Sequence, residues 1–209
     1  MLGWVIGHAG GGDRATRLWC VLAGLLPDLD GLTILFGWAV YGYYHRWLTH
    51  NLLFGVGVTL LSARWAGLRA RPLALIYASF LSHLVGDYLA SSWTLWPFLP
   101  FSSRVFVITW ESLPLLLVTN VAITLALVAV MFGVAVRQGR TGLELVHAGL
   151  DRVLVDLVQL RWRAAPCAAC VGRASLRCHA CARGICEAHV ATWRRLRVVC
   201  RECLEAPPG

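Results

Sequence analysis

Charge is what this chain has least of. Only 14 % of its 209 residues are charged, where soluble globular chains carry about 25 %. Lysine is absent altogether, so all 19 basic residues are arginine; this looks like a coding bias and says nothing about mechanism. With 58 % hydrophobic residues and a mean hydropathy of +0.64, the shortage of charge excludes both an ordinary cytosolic enzyme and a disordered chain. Internal repeats and low-complexity segments are missing too. Met1 to Gly12 has no basic start before an apolar core and no small-residue cleavage site, so no secretory signal is expected. Cysteine is almost missing from the first two thirds. Cys20 stands alone there, while the other seven crowd with His189 between Cys167 and Cys203.

What charge there is sits at one end. From Arg137 onward twelve arginines face six acids, which places +6 of the net +8 in the last third. The remainder is nearly neutral and very apolar. The composition therefore describes a membrane protein with a basic tail.

The clearest span is Leu113 to Val136, 24 residues without a charge, enough to cross about 30 Å of hydrocarbon. Arg137 and Arg140 follow it and assign that end to the cytoplasm. Leu18 to Tyr44 is long enough to span but contains Pro27-Asp28-Leu29-Asp30. Trp47 to Trp65 and Pro72 to Leu89 follow, separated by Arg64, Arg69 and Arg71. Placing that connection inside gives an all-α bundle of about four crossings. Trp93 to Trp110, aromatic and broken by Pro97 and Pro100, reads as interfacial or re-entrant on the outer side. Thr141 to Arg163 reads as an amphipathic helix, because Leu143, Val146, Leu150, Val153, Leu157 and Leu160 follow a 3-4-3-4-3 spacing. Its bland role is packing on the bilayer or the bundle. The expected organisation is a membrane domain over 1–136, a juxtamembrane helix over 137–163 and a cysteine-rich module over 164–209.

Ionisable side chains are expensive within apolar segments, and each is a functional candidate. Asp28 and Asp30 appear where Pro27 breaks the helix. His45 and His50 bracket Arg46, and His83 and Asp87 are four apart, on one helical face. A lone histidine of this kind is usually a packed, hydrogen-bonded residue, and an Asp at a helix break is usually a cap. Five or six of them among some sixty apolar positions would cost too much without a shared partner. Imidazole nitrogen with carboxylate oxygen suits Zn²⁺, Mn²⁺ or Fe²⁺, one ion or two. Glu111, just before the last span, is a weaker candidate base with no motif behind it.

In that order, Pro27-Asp28-Leu29-Asp30, His45-Arg46-x-x-Thr49-His50, His83-x-x-x-Asp87 and Trp96-Pro97 resemble the membrane-bound metal-dependent hydrolases of the YdjM type, over roughly residues 1–100. The resemblance implies an all-helical membrane domain with a hydrolytic centre of one or two divalent ions, Zn²⁺ or Mn²⁺. The family is distantly similar to zinc-dependent phospholipases and nucleases, whose substrates are phosphodiesters. Carried over, the candidate ligands are Asp28, Asp30, His45, His50, His83 and Asp87, with His8 added as the early histidine of the pattern. Asp30 or Asp87 would take the proton from water, and Arg46 would suit a phosphate oxygen.

In the tail, Cys167-x-x-Cys170, Cys178-x-x-Cys181, Cys186-x-x-His189 and Cys200-x-x-Cys203 form four pairs separated by 7, 4 and 10 residues. Eight ligands in four pairs predict two closed structural Zn²⁺ sites, which suits a reducing compartment. The pattern resembles cross-brace fingers of the FYVE, RING and B-box kind, in which pairs one and three share one ion and pairs two and four the other; sequential pairing stays open. Some 45 residues cannot build a sufficient apolar core, so metal would supply much of the folding energy. His179, between two ligands, reads as a surface residue.

The function expected from the sequence is a hydrolase of the bacterial inner membrane acting on a phosphodiester or lipid, with its tail in the cytoplasm. The alternative is a non-enzymatic adaptor that recruits a partner through the zinc module. Transport of metal or protons would want the polar set strung across the membrane rather than clustered. The expected partners are the bilayer and, through Arg173, Arg177, Arg183, Arg194, Arg195 and Arg197, anionic headgroups or an acidic protein. Nucleic acid is disfavoured for want of an aromatic platform. A homodimer stays open.

Overall fold

A computed structural model of the chain describes residues 1–110, 112–194 and 196–205; Glu111 and Arg195, both named above, lie outside the described residues. The fold is mostly helical. Its packing divides into two units, Met1–Val128 and Ala129–Gly209.

In the first unit, helices α1 (Leu2–Ala9), α2 (Arg14–Ala23), α4 (Leu52–Ala66) and α5 (Ala70–Ala90) pack on one another. Cys20, Ala23, Val58, Ile76, Phe80 and Leu84 are their buried meeting point. Small residues set how closely they approach. A Cβ on Gly3 would collide with the Cys20 carbonyl and Ser79, and one on Gly55 with the Phe80 ring. Side chains cap two of the helices. Asp13 accepts from Thr16 N at 2.7 Å to start α2, and Asn51 accepts from Phe54 N at 2.9 Å to start α4.

The segment Leu18 to Tyr44 is broken at the expected proline. After α2 comes a 3₁₀ stretch, Leu26–Phe36, at 43° to it, and then α3 (Trp38–Tyr44). Among the described residues, two helices are long and apolar enough to cross a membrane, α5 and α6 (Leu113–Gln138), or up to three spans if the bent pair counts as one. The stretch expected as a further crossing forms α4, 15 residues long. At 1.5 Å per residue it covers only about 22 Å. Residues 93–110 form no helix, and their backbone closes on itself through Leu95 and Phe106.

In the second unit the juxtamembrane helix is shorter than its periodicity predicts. It is α7, Ala148–Trp162, capped by His147, whose Nδ1 accepts from Gly149 N at 3.0 Å. Leu143 lies before it in a 3₁₀ turn and Val146 is 76 % exposed. The physical reason is Asp151, which draws Thr141 back by accepting from its N at 2.7 Å and its Oγ1 at 2.6 Å. The buried positions of α7 are Val155, Asp156, Gln159 and Leu160. Gln159 Nε2 donates to the carbonyls of Ala135 and Val136, each at 3.2 Å. These belong to the last turn of α6, where Ala135 O also accepts from Gly139 N at 3.2 Å and Val136 O from Arg163 Nη2 at 3.4 Å.

Two short hairpins follow. Strand β1 (Leu176–Arg177) pairs antiparallel with β2 (Gly184–Ile185), and β3 (Val190–Arg194) with β4 (Arg197–Cys200), before a closing turn α8 (Arg201–Glu205). Their small core is half sulfur: Cys167, Cys178 and Cys200 with Leu176, Ile185 and Val198, against which Val153 and Leu157 of α7 pack. Asp156 is buried beside Arg177, 3.8 Å away; burial pushes its carboxyl above the ordinary range, and the guanidinium only partly opposes this.

Candidate metal centres

The membrane unit brings three distant segments to one point. The break after α2 supplies Asp28 and Asp30, the turn between α3 and α4 supplies His45, Arg46 and His50, and α5 supplies His83 and Asp87. Asp28 Oδ1 lies 3.7 Å from His50 Nε2 and 3.5 Å from His83 Nε2, and the two Nε2 atoms are 3.4 Å apart. Asp87 Oδ2 reaches in at 3.1 Å from His50 Nε2 and 3.6 Å from His83 Nε2. Four bonds of 2.0 to 2.1 Å in a tetrahedron set ligand atoms about 3.3 Å apart. The three edges among Asp28, His50 and His83, 3.4 to 3.7 Å, are close to that length.

Hydrogen bonding fixes which nitrogens face one another. His83 Nδ1 sits 2.8 Å from the Gly24 carbonyl, which can only accept, so that nitrogen carries the proton. His50 Nδ1 sits 3.1 Å from Asp30 Oδ2, a fully buried carboxylate. In the neutral rings both Nε2 atoms then present lone pairs to each other. Asp87 Oδ2 faces the same point, buried and without a hydrogen bond. Two imidazole lone pairs and two carboxylates pointing together repel unless a cation lies between them. The donor set fits a divalent ion, and Asp28, His50 and His83 form the three-residue group able to hold one.

Asp30 is placed differently from Asp28, two residues away. Both its oxygens are engaged: Oδ1 with His45 Nδ1 at 3.0 Å, Oδ2 with His50 Nδ1 and with Arg46 N at 2.8 Å. It orients ligands. His45 is held by that bond between the rings of Tyr41 and Trp93 and does not join the three-residue group. His8 is not brought to the cluster; it stacks on Trp4 with ring centroids 4.9 Å apart.

Arg46 takes a left-handed backbone, φ 69°, costly for a side chain of this size. The turn aims its guanidinium across the site to Asp87 Oδ1 at 3.2 Å and to Ser91. The residue is 7 % exposed, and its Nε is buried without a partner. Thr49 ties the same turn to the Pro27 carbonyl. Ser91, Thr49 and the Gly24 carbonyl were not singled out from the sequence. Thr49 stood within a quoted motif, but a backbone acceptor such as Gly24 leaves no signature in a sequence.

The tail builds two further groups. Cys167, Cys170, Cys186 and His189 converge, as do Cys178, Cys181, Cys200 and Cys203. Pairs one and three thus come together, as do pairs two and four. The Sγ atoms of Cys170 and Cys186 are 3.7 Å apart and those of Cys181 and Cys200 3.9 Å. That is far beyond a disulfide and close to the edge of about 3.8 Å that 2.3 Å metal–sulfur bonds impose. Backbone N–H groups of Ala169 and Cys186 point at Cys167 Sγ and bring its thiol down to about 6. The Arg183 side chain does the same for Cys181, also to about 6. Thiolates favoured next to other thiols are a donor set for cations, and these two groups could hold two metal ions. His179 is exposed at the surface, as expected, with its Nδ1 2.7 Å from Arg152 Nη1.

A family model, YdjM inner membrane protein, matches residues 1–162 and so covers every residue of the membrane cluster. The chain belongs to the YdjM inner membrane protein family. No curated protein and no solved structure matches. The YdjM match ends before Cys167, so the cysteine module lies outside what defines the family.

Proposed function

We propose that this YdjM-family chain is a metal-dependent hydrolase of the inner membrane acting on a phosphodiester. One observation carries the reading: two histidine Nε2 atoms, 3.4 Å apart with their protons on Nδ1, converge with two carboxylates. Asp28, His50 and His83 would hold a divalent ion, Zn²⁺ or Mn²⁺ by their donor chemistry. Such an ion supplies Lewis acidity, polarising a phosphoryl oxygen and easing deprotonation of water. Asp30 and the Gly24 carbonyl keep the imidazoles in the ligating tautomer. Asp87 Oδ2, which accepts no hydrogen bond, is placed to take a proton from the attacking water. Arg46 holds the other oxygen of Asp87 and offers its free Nε to a substrate phosphate. The tail groups are read as structural Zn²⁺ sites in a cytoplasmic interaction module, supported by Arg137 in the last turn of α6 and Arg140 just beyond it.

Metal content per full-length chain tests this. Two tail groups and one membrane cluster predict three ions. Asp28→Asn should remove one. Asp87→Asn should keep all three while phosphodiester hydrolysis falls about 10²- to 10⁴-fold, the usual size of an acid–base contribution. Two ions lost with the tail cysteines, and none attributable to Asp28, would leave the adaptor reading.

A further inference from the structure

The end of α7 lies back along the end of α6. A Cβ on Gly139 would stand 3.7 Å from Val155 Cγ1, Gln159 reaches the carbonyls of Ala135 and Val136, and the Trp162 ring meets Phe132 edge-on with centroids 5.3 Å apart. As α7 advances from 155 to 162, its neighbours therefore retreat from 139 to 132. The last turn of α7 thus descends beside the last apolar turns of the span. Phe132 is four residues, about 6 Å, inside the end of the uncharged run at Val136. Trp162 is nonetheless 66 % exposed. An exposed indole at that depth sits where membrane proteins concentrate tryptophan, between hydrocarbon and headgroups.

Arg161 and Arg163 each stand about 100° around the helix from Trp162, one to either side. Both are exposed. Arg163 Nη2 donates to Val136 O at 3.4 Å, which holds that guanidinium level with the end of the hydrocarbon and leaves its other N–H groups outward. Among the described residues neither arginine meets a carboxylate. The carbonyls that would repel an anion there are already taken. Gln159 O accepts from Arg163 N at 3.0 Å, Leu160 O from Ala165 N at 3.0 Å and Arg161 O from Ala164 N at 3.2 Å.

We infer that Arg161, Trp162 and Arg163 bind the phosphate of an anionic phospholipid in the leaflet at the C-terminal end of α6. Continuity with the span selects a lipid, because Phe132 and Val136 hold the tryptophan and one guanidinium at bilayer depth. Charge selects which lipid. Phosphatidylcholine also offers a phosphate but brings its own cation, whereas two unopposed guanidiniums match a headgroup of net negative charge. The headgroup contact expected from sequence fell on six arginines beyond residue 170, and these two were not among them.

The test uses the full chain, with p-benzoylphenylalanine in place of Trp162, in nanodiscs of equal parts phosphatidylcholine and phosphatidylglycerol. Ultraviolet cross-linking is followed by mass spectrometry of the adducts. Phosphatidylglycerol adducts should predominate. Arg161→Gln should cut that preference about fivefold, the worth of one basic residue at an anionic surface. Its side chain makes no contact the fold needs, so a loss there is not misfolding. Adding Arg163→Gln should bring the two lipids to parity. Arg137→Gln is the control for diffuse charge. It lies next to Val136 in depth but about 140° around α6 from Phe132, and should leave the preference intact. Adducts in proportion to the bilayer's composition, cross-links to protein alone, or an equal loss from Arg137→Gln and Arg161→Gln would each overturn the site.

Discussion

At the scale of single residues, chemistry decides which of two identical side chains does what. Asp28 and Asp30 are indistinguishable in sequence, yet one has an exposed carboxylate facing two imidazole nitrogens and the other is fully buried with three hydrogen bonds. A third aspartate offers a simpler measurement. Asp13 caps α2, and the Thr16 N–H it accepts holds its carboxyl below the ordinary carboxylate range. A depressed folded-state value means that the cap stabilises above the unfolded pKa and is lost as pH falls through the folded one. Asp13→Ala should therefore cost about 1 kcal/mol near neutrality. In thermal melts the gap between parent and variant should close as the pH drops below about 4. The sequence announced these residues but not their division of labour. PDxD, HRxxTH and HxxxD named the right neighbourhood, because ionisable groups in apolar segments are conspicuous. That Asp30 turns away from the cluster depends on backbone angles at the Pro27 break and at Arg46, which side-chain identity does not encode.

Helices show the same limit differently. Leu113 to Val136 was legible because 24 uncharged residues permit little else, and it forms α6 with two residues to spare. The 3-4-3-4-3 run after it was legible only in part. Its first third is pulled out of the helix by Thr141 and Asp151, a polar contact ten residues long that no hydrophobic period can report. The same helix carries a residue the periodicity passes over. Gln159 donates to two carbonyls at the end of α6, beside Gly139 N on Ala135 and Arg163 on Val136. Gln159→Leu keeps the apolar face and removes two of these four bonds, and should destabilise the second unit by about 1 kcal/mol, the net worth of a typical hydrogen bond. Hydrogen exchange at Gly139 would rise with it; unchanged protection there would show that the remaining donors suffice.

For the whole molecule, the two units are built on opposite principles. The membrane unit spreads its polar residues thinly and gathers them once. The tail concentrates eight candidate ligands in 37 residues, Cys167 to Cys203, and has little else for a core. Because the ligand pairs interleave, neither group can open without disturbing the loop that carries the other. Cys170→Ser should therefore release both tail ions together, and a chelator titration should show one transition rather than two. Loss of a single ion would mean that the groups fold independently.

Interleaving also orders events in time. As the chain emerges from the ribosome, Cys167 and Cys170 appear first but have no third or fourth ligand until Cys186 and His189 follow, by which point Cys178 and Cys181 are already out. A first ion bound there would close around a loop that holds a half-made second group, open until Cys203 follows 14 positions after His189. At about 5 to 20 residues per second, that is an interval of about one to three seconds. During it, two thiols wait for partners and must stay reduced to meet them.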